Sequence, residues 1–598
     1  MVKDRGRLSA APIIFAALVI ATVGAFFVTT RLKRSTPVIE QLTFRRSFSP
    51  NGDGRFDPAL FAFRLRRTDE VTVSIVTRDG DEVRTLAEDV PLRGGRRHRF
   101  RWDGRNEAGR VAADGEYHLR VGLRRQGRTV TSGRKLFLDT VPPRPVVRYV
   151  SPDSISPDGA GGANSATFRF SGPTRRARLL VYRTDLRRPR LVAARTISGT
   201  AGTGRWDGRV RGGRPAASGA YLLVVRAQDA AGNVGPPRVP PRRSEVRGHP
   251  GLAVRYVDAY AVRPLSPPGQ RTGFAVKADG RRYRWGVRRL GSRRTLARGA
   301  SRSEALSVPF SSARSGIAVL TLRIGSHRHT LPFPVQGRRR EKVLVVLPDA
   351  SWQARNRLET DGDGYPDVLP EDPRVTLLRP YAGDGLPPGF AGDQSGLVRF
   401  LDREGLRYDI TTDVALAAAG ADPLDRYTGI LYAGPPRFSP ARVQGLLRAY
   451  VDGGGRLAWI GRGGFDWTVH VTRRGTDGSG RDTLLRGRRP TVRALFGERL
   501  RYEPEAAPVA VLSDRIGFFR GVPGSFGPFG PLEESLRLPP EARLLSSAGT
   551  GEGRLALVVY RRGAGIVTRV GVDGFGRAVR TSPAAARIMR RLWVSLSR

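Results

Sequence analysis

Beyond residue 36 the chain alternates apolar and polar positions at period two, as in Phe61-Ala-Phe-Arg-Leu65 and Val71-Thr-Val-Ser-Ile-Val76. This spacing predicts half-buried strands. Gly and Asp punctuate it at short intervals, as at Asp79-Gly80, Asp103-Gly104 and Asp114-Gly115. Many short strands with regular turns predict a β-sandwich. The pattern then repeats. Arg101-Trp-Asp-Gly-Arg105 recurs as Arg205-Trp-Asp-Gly-Arg209, followed at the same offset by Gly115-Glu-Tyr117 and Gly219-Ala-Tyr221. A period near one hundred residues predicts one immunoglobulin-sized sandwich per copy, over 36–143 and 144–245. A further alternating stretch, 246–338, predicts a linking β-sandwich.

Two segments break the alternation. No charged residue lies between Arg7 and Arg31. A helix over 9–30 has the length expected to cross the roughly 30 Å hydrocarbon core. The expectation is a single transmembrane anchor, with residues 1–8 cytoplasmic and the bulk of the chain extracytoplasmic. Val23-Gly24-Ala25 leaves a cleaved signal peptide as the alternative. Flanking basic residues on both sides give no vote on orientation. The second break comes at Lys342. Val343-Leu-Val-Val-Leu347 is a continuous apolar run, as in a strand buried on both faces. Gly429-Ile-Leu-Tyr-Ala433, a helix after Ser439-Pro440 with Val443, Leu446, Leu447, Tyr450 and Val451 on one face, and Arg456-Leu-Ala-Trp-Ile460 read as a β-α-β unit. Residues 339–598 are therefore expected to form an α/β domain with a mostly parallel sheet, whose ligands bind at the carboxyl ends of the strands.

Composition narrows the chemistry. There is no cysteine, which removes disulfide-linked partners, thiolate metal sites and cysteine nucleophiles. An exported chain without disulfides fits a bacterial cell membrane and envelope. The net charge is +49, and 98 of the 103 basic residues are Arg. Such a surface attracts anionic cell-envelope polymers. The charge is spread along the whole chain, and no nucleic-acid fold signature accompanies it, so no specific nucleic acid is expected.

Two resemblances follow from the motifs. Phe48-Ser-Pro-Asn-Gly-Asp-Gly54, Trp102-Asp-Gly-Arg105 and Asp114-Gly-Glu-Tyr117 resemble the Ig-like domain of flagellar hook-capping proteins. That resemblance implies a spacer or assembly module without chemistry. Val345-Val-Leu-Pro-Asp-Ala-Ser-Trp-Gln-Ala-Arg-Asn356, Arg379-Pro-Tyr381, Tyr450-Val-Asp-Gly-Gly-Gly-Arg-Leu457 and Gly463-Gly-Phe-Asp-Trp467 resemble the large (beta) subunit of N,N-dimethylformamidase, over 246–598. This implies a sheet similar to the class I glutamine amidotransferase fold. Where that family carries an acidic iron ligand, this chain has Gly434-Pro-Pro-Arg437, and a fixed guanidinium repels iron.

The candidate cleft comprises Trp352, Asn356, Arg437, Gly461, Gly463, Gly464 and Trp467. Two Asp-rich turns, at Asn51, Asp53 and Asp57 and at Asp361, Asp363 and Asp367, have oxygen spacing suited to calcium. Two functional readings stay open. One is a membrane-anchored, non-catalytic binding or scaffold protein with Ig-like spacers and a degenerate head. The other is an exported metal-dependent amide hydrolase. A weaker third is a polyanion-binding wall protein.

Overall fold

Trp102 and Trp206 anchor two copies of one local structure. The computed structural model describes residues 11–33, 38–158, 163–172, 176–197, 202–246, 248, 250–309, 312–420, 423–472, 482–487 and 495–598; residues 1–10, including the expected cytoplasmic N-terminus, lie outside these. In the first copy the indole N–H of Trp102 donates to the Arg105 carbonyl at 2.8 Å, and the Tyr117 hydroxyl donates to the Ala113 carbonyl at 2.6 Å. In the second, Trp206 donates to Arg209 at 3.1 Å and Tyr221 to Ala217 at 2.7 Å. The Trp and Tyr rings touch at 5.0 Å and 5.2 Å. Both Trp side chains are fully buried, so each indole N–H needs the partner that the turn supplies.

The strand order repeats as well. Ile39–Thr43, Ala59–Leu65 and Arg97–Trp102 form a three-stranded sheet, and so do Val146–Ser151, Ala166–Ser171 and Thr203–Trp206. The facing sheet runs Ser47–Phe48, Leu136–Leu138, Gly115–Leu123, Asp69–Thr77, Glu82–Leu92 in the first copy. In the second it runs Ser154–Ile155, Leu252–Val254, Gly219–Gln228, Arg178–Arg183, Arg190–Thr196. The turn after each Trp needs glycine. Gly104 and Gly208 have φ of 81° and 67°, and a Cβ there would meet Pro50 at 2.7 Å or Pro157 at 2.3 Å. Gly104→Ala is expected to cost about 1–2 kcal/mol from left-handed strain and that contact, measured as a lowered urea midpoint with unchanged slope.

The chain divides into two compact units, one made of 1–145, 173–177 and 226–237, the other of 146–172, 178–225 and 238–598. In the second unit a three-stranded sheet, Asp258–Ala261, Thr272–Lys277 and Ala305–Val308, accompanies a four-stranded one in the order Thr295–Ser301, Tyr283–Arg289, Gly316–Ile324, His327–Val335. The head is built on an eleven-stranded sheet. Five strands run parallel in the order Asp409–Thr412, Val343–Leu347, Gly429–Tyr432, Arg456–Ile460, Gly565–Val570. Val343, Val345 and Leu347 enter one apolar cluster, while Leu344 and Val346 enter another on the opposite face. The helix Ala441–Asp452 makes the expected crossover, burying Val443, Leu447 and Val451. Ser439 and Pro440 belong to a short strand before it, and Ser439 makes no cap hydrogen bond.

Two expectations are corrected here. The head is not a mostly parallel, amidotransferase-like sheet. Beyond Gly565–Val570 the sheet continues antiparallel through Arg554–Arg562, Arg543–Gly551, Ala507–Asp514 and Ser525–Phe529, with Leu532–Arg537 and Arg499–Glu503 attached. Tight hairpins at Gly553 and Gly563, with φ of 70° and 55°, replace crossover helices, and hairpin neighbours must run antiparallel. Strand, not helix, dominates the described residues.

The second correction concerns the transmembrane helix at 9–30 and the single-pass placement in a bacterial cell membrane. A helix runs over Ala11–Lys33, but among the described residues no helix is long and apolar enough to cross a membrane.

Candidate functional site

The carboxyl ends of the parallel strands open onto a cleft of about 610 Å³. Each central strand contributes the segment just beyond its end. Val343–Leu347 leads into Pro348 and the helix Asp349–Ala354, which places Ser351 and Trp352 on the wall. Gly429–Tyr432 is followed by Pro435 and Arg437, Arg456–Ile460 by Arg462 and Gly463, and Gly565–Val570 by Asp573 and Gly574. The antiparallel half adds Arg501, Tyr502 and Glu533, and the turn before the helix Gln394–Arg403 adds Asp393.

Of the expected residues, Trp352, Arg437 and Gly463 line this cleft. Trp352 is 5% exposed, its ring edge-on to Tyr381 and Phe390, and its indole N–H has no hydrogen-bond partner among the described residues. Asn356 lies outside the cleft. It is buried, donates to the Pro380 carbonyl at 2.8 Å and accepts from the Ala382 amide at 2.9 Å, so it pins the 380–382 loop. Trp467 stacks on Phe438 in a separate four-stranded sheet. Gly461 and Gly464 are buried behind the wall.

The glycines serve packing between loops. A Cβ on Gly461 would lie 3.1 Å from Pro435, and one on Gly463 would lie 3.0 Å from Arg437. Both have φ near +90° to +100°, a region that L side chains resist. The Gly463 amide also donates to both carboxylate oxygens of Glu533 at 3.1 Å. Burial pushes Glu533 up to about 7, against the pull of the Arg569 charge. Asp393 is raised to about 6, first by burial and then by the nearby Asp573 charge.

Cations and anions are interleaved. Arg437 pairs with Asp466 at 3.5 Å, and Arg462 pairs with Asp573. Arg462 also lies over the Tyr502 ring at 4.4 Å. Arg355 and Arg577 line the same cleft, and neither is in an ion pair among the described residues. Arg355 is exposed by surface area, but desolvation by the cleft walls, then the charges of Arg437 and Arg462, lowers its pKa. Among the described residues, the amide oxygen of buried Gln394 and one carboxylate oxygen of Asp393 have no hydrogen-bond partner. An iron centre of the kind the family resemblance implies does not fit these residues. Arg437 stands where an acidic ligand is needed, and Asp466, Asp573 and Glu533 already serve Arg437, Arg462 and the Gly463 amide.

The two Asp-rich turns differ. At the first, Asn51, Asp53 and Asp57 accept four backbone amides, from Gly52, Asp53, Gly54 and Arg55, at 2.8–3.0 Å. At the second, ligand atoms of Glu359, Asp361 and Asp363 lie within 4.8 Å of one another. The Arg243 guanidinium sits against them, 2.8 Å from Asp363, 3.7 Å from Asp361 and 3.8 Å from Asp367. Glu359 and Asp367 are raised to about 8 and about 7, chiefly by burial. Motif spacing did not point to Arg243, because it reaches the turn from a distant stretch. Asp573 and Arg577 were also missed, although Asp573-Gly574 follows a strand end as the other wall segments do.

A family model for the FlgD Ig-like domain matches residues 55–127, and one described as N,N-dimethylformamidase beta subunit-like, C-terminal, matches residues 299–495. The chain thus carries both kinds of domain in that order. No curated protein matches it. Among solved structures the chain is similar to the β-galactosidase from Rahnella sp. R3, at 16% identity, covering 44% of this chain and 32% of that one with a TM-score of 0.25. It is also similar to an exo-β-1,4-mannosidase from Opitutaceae bacterium strain TAV5, at 16% identity, covering 42% and 35% with a TM-score of 0.24. The chain thus spans about a third of those structures' length, and at such scores the likeness carries no argument about function.

Proposed function

We propose that the chain is a non-catalytic binding protein whose head takes a small anionic ligand in the cleft at the carboxyl ends of the parallel strands, with the Ig-like repeats as spacers. One observation carries the reading. Arg355 and Arg577 face one cleft without a carboxylate partner among the described residues, beside the unpartnered Gln394 amide oxygen and Trp352 indole N–H. The complementary molecule carries a carboxylate for the guanidiniums.

Calorimetric titration with glucuronate and N-acetylglutamate tests this. Arg355→Ala and Arg577→Ala are each expected to weaken binding about ten- to a hundredfold, the worth of a hydrogen bond to a charged group. Unchanged affinity in both variants would overturn the reading. So would amide hydrolysis that disappears in Glu533→Gln, since that result would make the head an enzyme.

A further inference from the structure

One end of the four-stranded sheet of the linking region is exposed on the face that carries Arg284, Arg323 and Arg328, and no acidic residue of these strands shares that face, which is buried farther along at Val319 and Thr330. In register, Arg284 on Tyr283–Arg289 lies directly opposite Arg323 on Gly316–Ile324, and Arg323 lies directly opposite Arg328 on His327–Val335. Gly286 sits between Arg298 and Thr321. With no side chain there, the arginines rim a depression of about 350 Å³, which Arg288 also lines. All five arginines are exposed. None is in an ion pair among the described residues, and no Asp or Glu lines the depression. The head cleft differs, because its arginines alternate with Asp393, Asp466, Glu533 and Asp573.

Like charges directly opposite each other on neighbouring strands are destabilising. Here three stand in one row across three strands. Adjacent strands lie about 4.8 Å apart, so the row spans about 10 Å. That is longer than one carboxylate and suits a series of them. Each guanidinium presents a planar fork that a carboxylate or phosphate can meet with two hydrogen bonds. Nucleic acid fits less well. A single strand needs aromatic platforms for its bases, and the one aromatic lining the depression, Trp285, shares its strand face with buried Tyr283 and Val287 and packs half-buried against the core over Gly299.

We propose that this exposed end of the sheet binds a linear anionic polysaccharide, the arginine row Arg284–Arg323–Arg328 taking successive acidic groups along the polymer. The site is separate from the head cleft and does not depend on what the cleft holds.

The test uses the full chain and a defined oligogalacturonate of about ten units. Binding is followed by fluorescence anisotropy across a salt series. The Arg284→Glu/Arg323→Glu variant is expected to bind at least tenfold more weakly and to lose about two from the slope of log affinity against log salt, as two charge contacts would. Arg187→Glu/Arg188→Glu makes the same charge change at two exposed arginines elsewhere, and is expected to change affinity less than threefold. Arg284→Gln/Arg323→Gln, with its thermal melt, gives the same reading if charge reversal disturbs folding. Equal losses in the sheet-face and control variants would overturn the proposal, leaving only net charge at work. Loss-free binding in the sheet-face variants would overturn it too. A mixed-sequence DNA strand of equal charge binding as tightly, with the same losses, would replace the polysaccharide by nucleic acid.

Discussion

Arg569→Leu is expected to destabilise the head by about 3–5 kcal/mol, the cost of breaking a buried ion pair from one side. The Arg569 and Glu498 side chains are both 0% exposed and meet at 2.9 Å. Arg569 also donates to the Ser535 hydroxyl at 2.6 Å, the Glu533 carbonyl at 2.7 Å and the Leu555 carbonyl at 2.9 Å. Glu498 accepts from the Tyr560 hydroxyl at 2.9 Å as well. Leucine would remove every one of Arg569's donors at once. The Glu498 charge would be left in the interior with hydroxyl partners only, and two backbone carbonyls would lose a donor. Guanidinium denaturation of both proteins measures the loss. Glu498→Gln in the same background should recover part of it, because it removes the stranded charge. A loss below about 1 kcal/mol would show that water reaches the network, contrary to its burial.

Stability is also expected to fall as pH rises from 5 to 8, the reverse of a protein held by ionised carboxylates. Asp413 is raised to about 8, with burial as the largest cause, although it accepts from the amides of Ala350 and Val414 and from Tyr432 at 2.8–2.9 Å. Glu359 is raised to about 8, and Asp367 and Glu533 to about 7, again mainly by burial. Each keeps its proton in the folded chain where the unfolded chain, titrating near 4, has released it. The folded state then binds more protons, so the stabilisation is complete below about pH 4 and is lost as pH climbs to the folded values. For fully buried Asp413 alone the slope is about 1.4 kcal/mol per pH unit, or about 4 kcal/mol between pH 5 and 8. Urea midpoints at unit intervals of pH check the direction, and Asp413→Asn should flatten the curve. A midpoint that rises with pH would refute the assignment.

What could be read from the residues was local, and what could not was the strand order. The Val343–Leu347 run lies second from the sheet edge, between Asp409–Thr412 and Gly429–Tyr432, and feeds apolar groups to both faces. Val443, Leu447 and Val451 face the core as helical spacing requires. Trp352, Arg437 and Gly463 meet because each follows a parallel strand whose neighbour was legible from the β-α-β pattern. Glu533 and Arg501 reach the same cleft through antiparallel pairings, and no local period announces those. Arg243 meets the second Asp-rich turn by long-range packing alone. The uncharged run at 9–30 misled because freedom from charge is necessary for a membrane span but not sufficient.

The strand Gly565–Val570 also bears on how the protein is made. It lies between Arg456–Ile460, in the parallel half, and Arg554–Arg562, in the antiparallel half. Until it emerges from the ribosome, a nascent chain holds two partial sheets with their inner edges open. Such edges recruit foreign strands, and segments made more than one hundred residues earlier must wait for the late insertion to join them. Synthesis therefore passes through an interval in which the head depends on chaperones or on its own charge to stay unaggregated, and that interval ends only when the keystone strand drops into place.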